Sequence, residues 1–150
     1  MIVMKFGGTS VESASAIERV ASIVRARLER RPVVVVSAMG KTTNKLLAMA
    51  GVAVRGEREE AIAMASELEE FHRRETALLG DGAGRAELES AIACHFQEIK
   101  ELLKGLAVLG ELTPRAVDAI SSYGERLSSL IVTHAFRGLG IDAAHVDSRK

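Results

Sequence analysis

Tryptophan is absent from this 150-residue sequence, and one tyrosine and four phenylalanines make up an aromatic content of 3%. Stacking platforms for bases or sugars have almost nothing to be built from. A single cysteine, Cys94, rules out an internal disulfide, and His72, His95, His134 and His145 have none of the His/Cys spacings of a metal site. A reducing cytoplasm suits such a chain. Net charge is missing too: 20 Lys and Arg offset 20 Asp and Glu, which argues against nucleic acid or an anionic membrane as partner. No apolar run approaches the roughly 18 residues of a membrane span. The opening MIVMKFGG is interrupted by Lys5 too soon for a signal peptide. The expectation is a protein neither exported nor inserted.

What is present is aliphatic. Hydrophobic residues make up 47% and charged residues 27%, the mixture of a globular chain and not of a disordered one. The length suits one sizeable core, as one domain or as part of a larger one.

Ile2, Val3, Met4 and Phe6 form a short apolar run that stops at Gly7-Gly8, after which helical spacing begins. The pattern predicts strand, tight loop, helix. Thr9 with Glu12 is a candidate capping box, and Ile17, Val20, Ala21, Ile23, Val24 and Leu28 mark one helix face, ending near Arg30-Arg31 before Pro32. Val33 to Val36 then predicts a strand buried on both faces of a parallel sheet. The right-handed crossover rule puts the loops after residues 6 and 36 on one carboxyl edge, where open α/β sheets bind ligands. Helical sequence follows from Asn44 to Leu109, broken near Gly56 and across Gly80 to Gly84. Within it, Glu69/Arg73 and Glu70/Arg74 are spaced for i, i+4 pairs, and Leu88, Ile92, Ile99, Leu103 and Leu106 stripe the second half of a helical hairpin. Thr113-Pro114 starts a helix to about Ser122, a second runs from Glu125 to Arg137, and Ile141 to Val146 is expected as a third strand.

Gly7-Gly8, between a strand and a helix start, reads either as a backbone cradle for an anion or as a tight turn. Lys5 is either a point charge for a transferring phosphoryl group or an edge lysine. Two nucleotide motifs are excluded. Gly40-Lys41-Thr42 lacks the earlier glycine of a phosphate-binding P-loop, since Val35 stands there, and Gly7-Gly8 lacks the later glycine of a dinucleotide fingerprint. Ser37, Thr42 and Thr43 supply hydroxyls able to hold a small carboxylate, with Thr43 otherwise an N-cap. Glu125 is either a partner for an ammonium group or a first-turn glutamate favoured by the helix dipole.

Three separated segments then agree. Lys5-Phe6-Gly7-Gly8-Thr9-Ser10-Val11, Val36-Ser37-Ala38-Met39-Gly40 with Thr43-Asn44, and Ser122-Tyr123-Gly124-Glu125-Arg126-Leu127-Ser128 together resemble aspartokinase, a member of the amino acid kinase family. The resemblance implies an α/β fold, a three-layer α/β/α sandwich around a mainly parallel sheet. It implies ATP-dependent phosphorylation of the β-carboxylate of L-aspartate to 4-phospho-L-aspartate, the first step of lysine, threonine and methionine synthesis. By the same matching, Lys5 would stand beside the transferring phosphoryl group, and Gly7, Gly8 and Thr9 would contact phosphate oxygens. Ser37 and Thr43 would hold aspartate oxygens and Glu125 its α-ammonium. ATP would bring Mg2+, no metal site belongs to the protein, and a homo-oligomer is expected. Aspartokinases also have a Gly-rich segment with an Arg and an Asp, a nucleotide site and regulatory domains, none of which resembles anything in residues 1–150. The chain is therefore expected to be the aspartate-binding part of a kinase domain, with little activity by itself because half of the positioning groups lie elsewhere. The competing expectations are another carboxylate kinase of the family and a non-catalytic binding or assembly module that retains this lobe.

Overall fold

The computed structural model describes residues 1–80 and 82–149. Strand β1 (Ile2–Phe6) and strand β2 (Pro32–Val36) pair in parallel, with Ile2 opposite Pro32 and Phe6 opposite Val36. A short parallel pair needs a crossover, supplied here by a 3₁₀ turn (Gly8–Val11) and helix α1 (Ala14–Arg25). Helices α2 (Thr42–Val54), α3 (Arg58–Ala77), α4 (Arg85–Leu109) and α5 (Pro114–Gly138) follow. The result is an α/β fold with a small parallel sheet.

Alternation along both strands decides where the core lies. Met4, Phe6, Val34 and Val36 turn toward the helices and pack on one continuous apolar cluster to which all five helices contribute. The other face is open, so Val3 is 69% exposed, Val33 47% and Val35 43%. The expected double-sided burial of the valine run is therefore corrected: among the described residues, helices cover one face of the sheet. Helix α2 is the hub, touching α3, α4 and α5. Its apolar sequence buries Leu46, Met49, Ala50 and Ala53.

Helix α1 begins later and ends sooner than the sequence predicts. The proposed Thr9/Glu12 box does not form. Ser13 caps the helix, its backbone extended and its hydroxyl accepting from Ala16 N at 3.2 Å. Because α1 stops at Arg25, Leu28 falls into a 3₁₀ turn and leaves the stripe exposed, as Ile23 also is. The α4 stripe is buried as expected, with Phe96 at its centre completing the spacing 88, 92, 96, 99, 103, 106. Glu69 pairs with Arg73 at 3.0 Å and also ties α3 to α4 through Lys100 at 2.9 Å. Arg74, by contrast, lies over the Phe71 ring and near Glu75 and makes no pair with Glu70.

Residues 141–146 are not a strand. Ile141 is buried, but Arg137 Nε donates to the Ala143 carbonyl at 2.7 Å and Ser129 bonds His145 at 3.0 Å, so side chains of α5 hold this segment in place of a ladder to β2. No helix among the described residues is long and apolar enough to cross a membrane.

Candidate functional site

The two strand-end loops meet at the carboxyl edge of the sheet, as the crossover rule predicts. Ser37 N donates to the Phe6 carbonyl and Gly40 N to the Gly8 carbonyl, each at 3.0 Å. Gly8 has to be glycine, because a Cβ there would stand 2.9 Å from the carbonyl oxygens of both Ala38 and Gly40. Around Gly7 the space is open to 4 Å, which leaves its backbone accessible. Gly40 sits at φ +51°, a conformation glycine adopts without strain, and turns the chain into α2.

The anion cradle is not the N-terminus of α1. That end is already occupied: Ser13 caps it, and the Glu75 carboxylate of α3 accepts from Ala14 N at 3.0 Å. The negative charge attracted by the α1 dipole comes from the protein itself. What remains for a ligand is the 3₁₀ turn directly after the glycines, which begins at Gly8 with no side-chain cap on its first N–H groups. Bare, uncapped N–H groups beside an open glycine can donate to phosphate oxygens, so the residues fit such a group. No three His, Cys, Asp or Glu side chains gather as a metal cage among the described residues.

Lys5 lies on the open face of the sheet near the end of β1, where its register partner is Val35. Thr9 is exposed on the 3₁₀ turn, and Ser37 is half-buried directly after β2. Lys5 and Glu125 have no ion-pair or hydrogen-bond partner among the described residues. Thr43 is not an N-cap. Helix α2 starts at Thr42, its cap position is Lys41 without a side-chain bond, and Thr43 sits half-buried inside the first turn.

The expected helix break at Ser122 to Glu125 is absent, since α5 runs unbroken for 25 residues. Glu125 is therefore in mid-helix, and the first-turn reading fails. Glycine in a helix interior costs about 1 kcal/mol relative to alanine. Gly124 occupies its place because α5 packs there on the loop after β2: a Cβ would stand 2.7 Å from Ala38 Cβ and 3.2 Å from Thr43 Oγ1. This contact brings Thr43 against the helix that presents Glu125 at the next position.

Sequence reasoning missed the support beneath this motif. Tyr123 donates its hydroxyl to Glu98 of α4 at 2.7 Å, Arg126 reaches the same carboxylate at 3.4 Å, and its guanidinium lies 4.2 Å from the Tyr123 ring centre. The Tyr123 hydrogen bond holds the Glu98 carboxyl below its usual range, while burial pushes the Tyr123 phenol up. Edge-on packing of His95 against Tyr123 completes the cluster, and burial lowers its imidazole. The flanking Tyr123 and Arg126 thus clamp α5 to α4, fixing the face that carries Gly124 and Glu125. The sequence offered one signal, the Tyr-Gly-Glu-Arg run itself.

All of residues 1–150 match the model of the amino acid kinase family. The chain belongs to the amino acid kinase family. Within it, Aspartokinase 2, chloroplastic, of Arabidopsis thaliana is 38% identical over 148 residues, covering 97% of this chain and 26% of that protein. The aspartokinase of Candida albicans is 30% identical over 153 residues, covering 97% of this chain and 28% of the relative. The crystal structure of E. coli aspartokinase III in complex with aspartate and ADP (R-state) matches with a TM-score of 0.80 at 28% identity, over 96% of this chain and 30% of that one. The fold is accordingly the amino acid kinase fold, and the chain spans about a quarter of the length of its curated aspartokinase relatives.

Proposed function

We propose that residues 1–150 form the aspartate-binding part of an aspartokinase domain, which phosphorylates the β-carboxylate of L-aspartate with ATP to give 4-phospho-L-aspartate. The observation that carries this reading is the double glycine contact around Ala38, with Gly8 on its carbonyl and Gly124 on its methyl. It draws the Lys5 strand, Ser37, Thr43 and the Glu125 helix to one edge. The 38% identity to an Arabidopsis thaliana aspartokinase and the likeness to an aspartokinase crystallised with aspartate and ADP support the choice of substrates.

In the reaction, a carboxylate oxygen attacks the γ-phosphorus of ATP and the bond to the β-phosphate oxygen breaks, releasing ADP. Lys5 offsets the negative charge on the transferring group. Gly7, Gly8 and Thr9 direct N–H groups at phosphate oxygens. Ser37 and Thr43 hold the oxygens of aspartate, and the unpartnered Glu125 carboxylate pairs with its α-ammonium. Mg2+ accompanies the nucleotide, and no residue here is assigned to it. We place the protein in a reducing aqueous compartment, the cytoplasm, where Cys94 stays a free thiol. The acyl phosphate would enter lysine, threonine and methionine synthesis.

The test is hydroxylamine trapping with the full gene product, ATP and aspartate. Aspartyl hydroxamate is expected, with little or none from residues 1–150 alone. A folded full product that makes none overturns the proposal, and one that phosphorylates another amino acid carboxylate in its place identifies a sibling kinase.

A further inference from the structure

We propose that Gly124 is a positioning residue that sets the spacing between Thr43 and Glu125, and through it the fit of the amino acid substrate; this rests on the aspartokinase reading. Glycine is the least favourable ordinary residue for a helix interior, yet it stands in mid-α5 with helical sequence on both sides. The reason is contact. The bare backbone of Gly124 is buried against Ala38 and Thr43, and a methyl group would overlap Ala38 Cβ at 2.7 Å and press on Thr43 Oγ1 at 3.2 Å. Neither neighbour can yield easily. Ala38 is 3% exposed, with its carbonyl already against Gly8, and Thr43 is held in the first turn of α2 beside the buried Thr42.

Any side chain at 124 therefore moves the Ala38–Thr43 loop away from α5, or rotates α5 away from the loop. Either shift changes the distance between the hydroxyl of Thr43 and the carboxylate of Glu125, which grip the same small substrate at different groups. Lys5 belongs to β1, which the parallel ladder holds, and Gly7 directly follows it; of the residues assigned to phosphate, Gly8 is the one bonded to the displaced loop, through Gly40 N. The displacement should then fall mainly on the amino acid and much less on the nucleotide.

The experiment compares initial-rate kinetics of the full gene product with those of its Gly124→Ala variant. The KM for aspartate is expected to rise roughly 10- to 100-fold, the scale of a misplacement near 1 Å, with the KM for ATP changed far less. Adding Ala38→Gly removes the methyl that the new one meets, so the double variant should recover most of the loss. Gly51→Ala, in α2 with nothing within 4 Å of its added Cβ, is the control for a glycine-to-alanine change in a helix and should leave both constants alone. If Gly124→Ala alone does not fold, the double variant tests the same point. A folded Gly124→Ala enzyme with an unchanged aspartate KM, or a double variant no better than the single one, overturns the positioning role. A wild-type product that forms no aspartyl phosphate overturns the underlying reading instead.

Discussion

Lys5 and Glu125 carry opposite charges and have no ion-pair or hydrogen-bond partner among the described residues, and the roles proposed for them separate kinetically. Lys5→Ala should lower kcat about 100-fold or more, as removal of a charge-stabilising donor does, with a smaller change in the aspartate KM. Glu125→Ala should chiefly raise that KM, by roughly 10- to 100-fold, the worth of a charge-assisted hydrogen bond. Initial-rate kinetics of the full gene product check both, and the reverse pattern would exchange the roles. His72 behaves differently. It is fully buried between Phe71 and Phe96, its Nδ1–H donates to the Leu68 carbonyl at 2.8 Å, and its Nε2 has no partner. Burial, with Lys45 nearby, lowers its pKa below the ordinary 6.5. The folded state therefore binds this proton less readily than the unfolded chain. Its contribution to stability is complete above pH 6.5 and is lost as pH falls from there through the folded pKa. Urea melts at pH 7 and pH 5 should show the wild-type midpoint falling further than that of His72→Phe.

At the scale of elements, helix ends are set by contacts that the local sequence does not contain. The first helix could have been capped by Thr9 or by Ser13, and both residues suit the role. The choice fell to Ser13 because Gly8–Val11 closes into a 3₁₀ turn and because Glu75, 61 positions away, reaches the next N–H. Ser13→Ala should destabilise the fold by about 1 kcal/mol or less, with Glu75 retaining part of the cap. A denaturant midpoint measures it. In α5, Gly124 lies where a break between two helices was expected and marks a close approach instead, a distinction no local pattern contains.

At the scale of the molecule, the open face of the sheet dominates. Val3, Val33 and Val35 lie on it, and among the described residues each of the two strands has a free edge, features that promote strand pairing and apolar association. Residues 1–150 alone should self-associate with rising concentration in sedimentation velocity, and Val33→Thr with Val35→Thr should weaken this. A monomer at every concentration would count against it.

From its residues alone, the chain determined the βαβ start, the meeting of the two strand-end loops, the α3–α4 hairpin, the buried α4 stripe, and, through three short motifs, the family. These depend on short-range periodicity and on the handedness of one crossover, both legible in a linear string. Tertiary structure decided which face of the valine strand is covered, that residues 141–146 hang on α5 side chains and not on β2, and that Glu125 lies in mid-helix. It also decided that Gly124 touches Ala38 and Thr43, 86 and 81 positions away by number. Such contacts depend on where distant elements come to rest, and volume exclusion between them leaves no periodic trace in the sequence.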